Sequence, residues 1–232
     1  MMIRAFNRFS GRSAIVSAIS TSMVLSLLSS LSVRYGHADV PIADTAEQIM
    51  PLQVGQSAPR FTVETVENQA LEFDPRGLDR PVLVIMFRGG WCMYCNAHLS
   101  ELRNVIPEIT AGGVDVLFLS GDRPELLYRS LQRDTQDDIE GRDYRILSDA
   151  GANAAIAFGV AYRVPAAVIE RRRAKGDDIS ESSMARHGIL PVPSVFAIDR
   201  DGIIAFAYSE PNYKIRLPAD ELLEVARTIA AR

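Results

Sequence analysis

Cysteine is almost missing from this 232-residue chain, which has only Cys92 and Cys95. A fold stapled by disulfides would spread several pairs across long loops, so that framework class is excluded. Tryptophan occurs once, at Trp91, next to the same pair. A basic excess is also absent: 25 Lys and Arg stand against 29 Asp and Glu, for a net charge of −4. Phosphate backbones need a basic face, so nucleic acid is not the expected partner. Beyond the N-terminal segment no internal repeat and no low-complexity stretch is found, which excludes solenoids and arrays.

What is present begins with an unusual start. MMIRAFNRFSGR has three arginines and no acid, an apolar run fills 13–33, and RYGHADV puts small residues at Gly36 and Ala38. That order describes a secretory signal cut after Ala38. Roughly 20 apolar residues cross a bilayer, so 13–33 also reads as a retained anchor, although nine of its 21 residues are Ser or Thr. An Arg- and Ser-rich, acid-free start fits organelle targeting as well. A periplasmic or secreted location is the expectation carried forward. Cleavage removes four arginines, taking the net charge from −4 to −8, and leaves enough chain for one full core. The expected organisation is a signal over 1–38, a lead-in over 39–54 and one α/β domain over 55–232.

Within that domain, RFTVETV and QALEFDP alternate apolar and polar residues around Glu67-Asn68, predicting a hairpin. PVLVIMF and VDVLFLS are continuous apolar runs, as strands covered on both faces are. Between them Leu99, Leu102, Val105, Ile106 and Ile109 recur at helical spacing, with Pro107 expected to end or kink the helix. Strand, helix, strand makes a βαβ unit, with the cysteines at the carboxyl end of its first strand. A capping pattern, Asp122 with Glu125, predicts a second helix from Asp122. YRILS reads as a short strand and SDAGANAAIAFG as a capped helix ending at Gly159. Residues 160–190 read as irregular, with ERRRAKGDD a solvated, mobile surface or, alternatively, a site for an acidic partner. Asp201-Gly202 joins two final strands, and an amphipathic helix runs from Leu217 to Arg232.

The chemistry sits in FRGGWCMYCNAHL. A free thiol is mostly protonated at neutral pH, with a pKa of roughly 8.5. At a helix start, unpaired N–H groups and the positive end of the dipole favour the thiolate. Gly89 and Gly90 permit a tight turn that puts Cys92 at that start, and Arg88 adds nearby positive charge. Cys95 follows one turn later on the same face. Cys92 is therefore the expected nucleophile, and Cys95 the resolving thiol that forms a redox disulfide with it. Trp91 reads both as an aromatic lid packed beside the turn and as a surface that shields the thiolate or grips a partner. CxxCH would mean covalent haem, but residue 96 is Asn. Cys92, Cys95 and His98 offer three zinc or copper(I) ligands. No nearby cluster supplies a fourth and His187 is distant, so no metal and no cofactor is expected. Pro193, at the mouth of a buried strand, stands where a cis peptide bond is tolerated.

With FRGGWCMYCN, Leu147 to Asp149, FGVAYRVP, LPVPSVFAIDRDG and PNYKIRL, five ordered blocks from about Gly55 onward, the chain resembles peroxiredoxin-like members of the alkyl hydroperoxide reductase/thiol-specific antioxidant family. The resemblance implies a thioredoxin-like fold: a central mixed sheet flanked by helices, with an N-terminal β-hairpin extension. It implies a Cys92 sulfenic acid resolved by Cys95, a cis-Pro193 beside the site, and thioredoxin or another dithiol as reductant. The substrate would be a peroxide or a protein disulfide. Typical members hold peroxide with a Pro-xxx-Thr-xx-Cys motif and an arginine ahead of a later strand. Here those positions are Ile85, Gly89 and Pro193, and Met93 stands where relatives have proline. Fewer groups then polarise the O–O bond, which keeps protein thiol–disulfide exchange open beside peroxidase activity, with a metal-binding or chaperone-like module as a third reading.

Overall fold

The hairpin forms from β1 (Phe61–Glu64) and β2 (Ala70–Phe73), antiparallel with Phe61 opposite Phe73. Asn68 turns the chain at a φ of 62°, a left-handed value that asparagine tolerates. The computed structural model describes residues 41–232; the expected signal, its cleavage point and the alternative anchor over 13–33 lie outside the described residues. Among those described, no helix is long and apolar enough to cross a membrane. Part of the lead-in is laid on the domain: Ala43 exchanges backbone hydrogen bonds with Ala161 and Arg163, and Leu52 donates to Phe158.

The apolar runs become β3 (Val82–Phe87) and β4 (Asp115–Ser120), paired in parallel from Val82/Asp115 to Phe87/Ser120. Two helices link them, α1 (Met93–Glu101) and α2 (Ile106–Ala111). Pro107 does not end the helix as expected. The break lies ahead of it, in a 3-10 turn over Leu102–Asn104, and Pro107 sits in the first turn of α2, where its missing N–H costs nothing. After β4 come α3 (Arg133–Ile139), β5 (Ile146–Ser148) and α4 (Asn153–Ala157).

The stretch expected to be irregular is ordered. It holds β6 (Ala161–Arg163), α5 (Ala166–Ala174), α6 (Ser183–His187) and β7 (Ile189–Pro191), with β6 and β7 forming a separate two-stranded ribbon. ERRRA, read as part of a mobile surface, is the last turn and a half of α5. Val164, Ile179, Met184 and Leu190 give this region a small core of its own, which explains its order despite a charged sequence. The chain closes with β8 (Ser194–Ile198), β9 (Ile204–Ser209) and α7 (Ala219–Ala230).

The main sheet runs β2-β1-β5-β4-β3-β8-β9 and is mixed, parallel at β5-β4-β3 and antiparallel outward on both sides. Successive side chains of β3 take opposite faces. Leu83, Ile85 and Phe87 join the core beneath α1, α2 and α7; Val82, Val84 and Met86 join the other, with α4 and the lead-in. That two-sided burial is why the strand reads as one unbroken apolar run. On α7, Leu222, Ala226 and Ile229 are buried at helical spacing, and fully burying such a leucine or isoleucine contributes roughly 1.5–3 kcal/mol. The mixed sheet flanked by helices, with its hairpin extension, is the expected fold class.

Candidate active site

β3 delivers the chain to a turn where two glycines are required for different reasons. Gly89 has a φ of 146°, and a Cβ there would come within 2.5 Å of Trp91 Nε1 and 2.7 Å of Asp122 Oδ1. A threonine side chain has no room at that position. Gly90 leaves space for the facing loop, since its Cβ would lie 2.0 Å from Ser130 Oγ. Cys92 then caps α1 with an extended backbone, and its carbonyl accepts from the N–H groups of Cys95 and Asn96. Asn96 locks the turn from inside the helix: Nδ2 donates to the carbonyls of Gly90 (2.7 Å) and Cys92 (3.1 Å), and Oδ1 accepts from Gln132 N–H.

Both cysteines are free thiols and both are buried, Cys92 with 3% of its surface exposed and Cys95 with 1%. Their acidities part company. The Cys95 thiol beside it, then the Arg88 guanidinium, the Cys95 backbone N–H and Arg216 pull Cys92 down to about 6, against the opposing effect of burial. Burial and the neighbouring Cys92 push Cys95 well above the ordinary thiol range, although Arg216 Nη2 lies 3.4 Å from its sulfur. The helix end expected to ionise Cys92 is thus one contributor behind its partner thiol and Arg88.

Arg88 is itself buried, at 5% exposure, and its Nε and Nη1 have no hydrogen-bond partner among the described residues. Its guanidinium lies 5.0 Å from the Trp91 ring and 4.4 Å from the Tyr213 ring, and Arg172 lies 4.5 Å from the Trp91 ring. Tyr213 also meets Tyr94 edge-on at 5.8 Å. Trp91 is half-buried and packs against both the cysteine core and the small core under α5 and α6.

The other expected residues fall as follows. His98 turns to the segment just ahead of α7, with Nε2 at 3.1 Å from the Leu217 carbonyl, and burial and Arg216 lower its pKa to about 4. Among the described residues no three His, Cys, Asp or Glu side chains are grouped to hold a metal. Pro193 is buried just ahead of β8, the strand beside β3, and its carbonyl accepts from Glu210 N–H.

Asp122 differs from its expected role as a cap. The residues after it form only a 3-10 turn, Pro124–Leu126, and its Oδ2 instead accepts from Gly90 N–H (2.7 Å) and Ser130 Oγ (3.0 Å). Burial raises its carboxyl to about 6 against those hydrogen bonds. Sequence reasoning missed this contact, along with Asn96, Arg172, Tyr213 and Arg216. Arg216 lies in the PNYKIRL block, the one signal that marked it. The contact from Asp122 to Gly90 crosses between β4 and β3 and leaves no local pattern.

The AhpC/TSA family matches residues 54–207. The chain belongs to the AhpC/TSA family. The thiol-disulfide oxidoreductase ResA of Bacillus anthracis is 21% identical over 151 residues, 65% of this chain and 66% of that protein. Peroxiredoxin Bcp of Escherichia coli K12 is 30% identical over 111 residues, 47% of this chain and 66% of that protein. The chain therefore spans just under two thirds of the length of these curated relatives. Among solved structures, a peroxiredoxin-like protein from Aquifex aeolicus shares 23% identity with a TM-score of 0.54, over 78% of this chain and 89% of that one. At that identity the likeness shows the fold, which is thioredoxin-like, as expected. Within the AhpC/TSA chain described here, the matched region ends before Arg216 and α7, so the guanidinium over Cys95 comes from outside it.

Proposed function

We propose that the protein is a thiol-dependent peroxidase reducing hydrogen peroxide or small organic hydroperoxides at Cys92, with Cys95 as resolving thiol. One observation carries this reading: an acidic sulfur, 3% exposed, beside the Arg88 guanidinium. So closed a sulfur suits a two-oxygen oxidant better than the disulfide of another protein. The Cys92 thiolate attacks one peroxide oxygen, the O–O bond breaks, and the departing oxide takes a proton and leaves as alcohol or water. Cys92 is then a sulfenic acid. The Cys95 sulfur displaces its hydroxyl, which leaves with the Cys95 proton as water, and the S–S bond forms. Thioredoxin or another dithiol returns two electrons and two protons. In this reading the unpartnered N–H groups of Arg88 polarise the O–O bond, taking over from the threonine for which Gly89 has no space. Trp91 screens the thiolate from bulk water.

A second reading, protein thiol–disulfide exchange, is favoured by Met93. Standing between the cysteines, it is 63% exposed and offers a partner chain an apolar contact. Reduced protein mixed with hydrogen peroxide separates the two. Fast loss of the Cys92 thiol, abolished in Cys92→Ser and halted at a sulfenic acid in Cys95→Ser, is the expected result. Slow reaction with peroxide together with rapid reduction of insulin disulfides would overturn it in favour of the second reading. The same proposal includes export with cleavage near Ala38, read by the intact mass and N-terminal sequence of the protein recovered outside the cytoplasm. A chain that keeps residues 13–33 and pellets with membranes favours the anchor instead.

A further inference from the structure

Beside the cysteine turn lies a recess of about 380 Å³ between α5 and the segment carrying Tyr213. Four cations line it, Arg88, Arg171, Arg172 and Lys175, with Tyr162 and Tyr213 among the remaining wall residues, and no carboxylate does. Arg172 is paired with Asp177 at 3.3 Å. Arg88, Arg171 and Lys175 have no acidic partner within salt-bridge distance among the described residues. Arg88 is buried, with two nitrogens unpartnered. A buried guanidinium left in that state is costly unless something else meets it. Val168, Arg171 and Arg172 of α5 and Lys175 just beyond its end follow at helical spacing, so the side that lines the recess carries three positive charges. Arg88 links the recess to the cysteine turn: it is a wall residue that stands four positions before Cys92, with its guanidinium 5.0 Å from the Trp91 ring.

We propose that this recess is a carboxylate subsite, seating the acid group of a small molecule whose other end, a hydroperoxide or a thiol, reaches Cys92. A planar carboxylate suits the guanidinium donors of Arg171 and Arg172, which leaves Arg88 for the reacting end, and the tyrosine and valine walls take the carbon chain between the two ends. This rests on the peroxidase reading for what happens at the sulfur, but not for the binding itself. The two sources of such an acid, an acidic hydroperoxide and an acidic low-molecular-weight thiol, share this chemistry. In the first case the two electrons of Cys92 reduce the O–O bond. In the second the thiol attacks the Cys92–Cys95 disulfide, Cys95 leaves as thiol, and a second thiol releases the disulfide of the pair.

Trp91 is the only tryptophan and stacks on Arg88 and Arg172, so its fluorescence reports on the recess. The full chain, reduced, is titrated with octanoate and with S-methylglutathione, neither of which reacts with the sulfur. A saturable change is expected with at least one probe, weakened about tenfold, or ~1.4 kcal/mol, in the double variant Arg171→Gln, Lys175→Gln. Both positions are exposed, so the variant is expected to fold and to keep its rate with hydrogen peroxide. Turnover then names the source. A fatty-acid hydroperoxide that outpaces its methyl ester identifies the substrate; glutathione that outpaces its diethyl ester in reducing the disulfide identifies the reductant. No saturable change with either probe, or equal binding by the double variant, overturns the subsite. Binding that persists while hydrogen peroxide fails to oxidise Cys92 keeps the subsite and removes the peroxidase reading instead.

Discussion

Asp122 and Asp149 stand at the carboxyl ends of neighbouring parallel strands, β4 and β5, each just after a serine-containing strand end; Asp122 reads in sequence as a helix cap, and Asp149 lies in a stretch that reads as a capped helix. Only Asp149 binds the start of a helix. Its two oxygens accept from the N–H groups of Ala154 (3.0 Å) and Ala155 (2.9 Å) at the start of α4. Asp122 has no regular helix ahead of it, and its carboxylate reaches sideways to Gly90, 32 positions back. The backbone even links the pair, since Asp149 N–H donates to the Ser120 carbonyl and Ser148 Oγ to the Asp122 carbonyl. A buried carboxylate takes whichever backbone donors are unpaired nearby. At β5 these belong to its own helix, and at β4 they belong to the cysteine turn. One acid therefore secures a helix and the other the turn that carries Cys92.

One glycine in the turn that each acid holds, Gly90 for Asp122 and Gly151 for Asp149, tests that division most severely. Gly90→Ala drives a Cβ to 2.6 Å and 2.8 Å from backbone atoms of Ser130 and Leu131, and is expected to cost ~3 kcal/mol or more and to silence Cys92. Gly151→Ala meets only the end of the Asn153 side chain, at 3.0 Å, and should cost about 1 kcal/mol or less with Cys92 unaffected. Denaturant unfolding and the rate of iodoacetamide alkylation read both. Equal costs at the two glycines would break the comparison.

Next in size is Asp149. Asp149→Ala orphans two buried N–H groups and is expected to cost roughly 2 kcal/mol at pH 5 without moving the pH midpoint of Cys92 alkylation. Burial raises this acid from 3.8 to about 7, so its proton stays on in the folded protein after it has left the unfolded one. The stability it contributes is complete below pH 3.8 and is lost as pH rises through about 7. Wild-type stability should fall across that window, and the variant should flatten the fall. A fall of equal slope in the variant would show that Asp149 is not its source.

Asp122→Asn is the mildest change and sharpens the contrast. The amide keeps its shape and an acceptor for Gly90 but loses the charge, so stability at pH 7 should move by only about 1 kcal/mol. Alkylation of Cys92 should slow about threefold as the turn loosens around the sulfur, whereas Asp149→Asn should leave that rate unchanged. A Cys92 rate that responds to neither variant would leave the division between the two acids without support.

How much of this was legible follows the same line between local and distant. β3 and β4 were readable because burial on both faces writes itself as continuous apolar sequence, and the hairpin because alternation and Asn68 are local. α5 was not, because its arginines mask a helix whose few buried neighbours come from α6 and β7. Cys92 and Cys95 announced themselves by spacing, and Arg88 by adjacency. The surroundings that set their acidity and hold their turn did not, since Arg216 arrives from 121 positions away and Asp122 reaches Gly90 from beyond the end of β4. Letters record what a residue does to its neighbours along the chain; they do not record which segment the fold sets beside it.

The two sulfurs, lying near Arg88 and Arg216, have one electrical consequence. Reduced, the pair holds a single negative charge near pH 7, on Cys92, because Cys95 keeps its proton. In the proposed cycle the Cys92–Cys95 disulfide holds none, so oxidation makes the site one unit more positive. On that reading the spent form is the stronger lure for an incoming thiolate, and the regenerated form gives up that pull as soon as the electrons have been delivered.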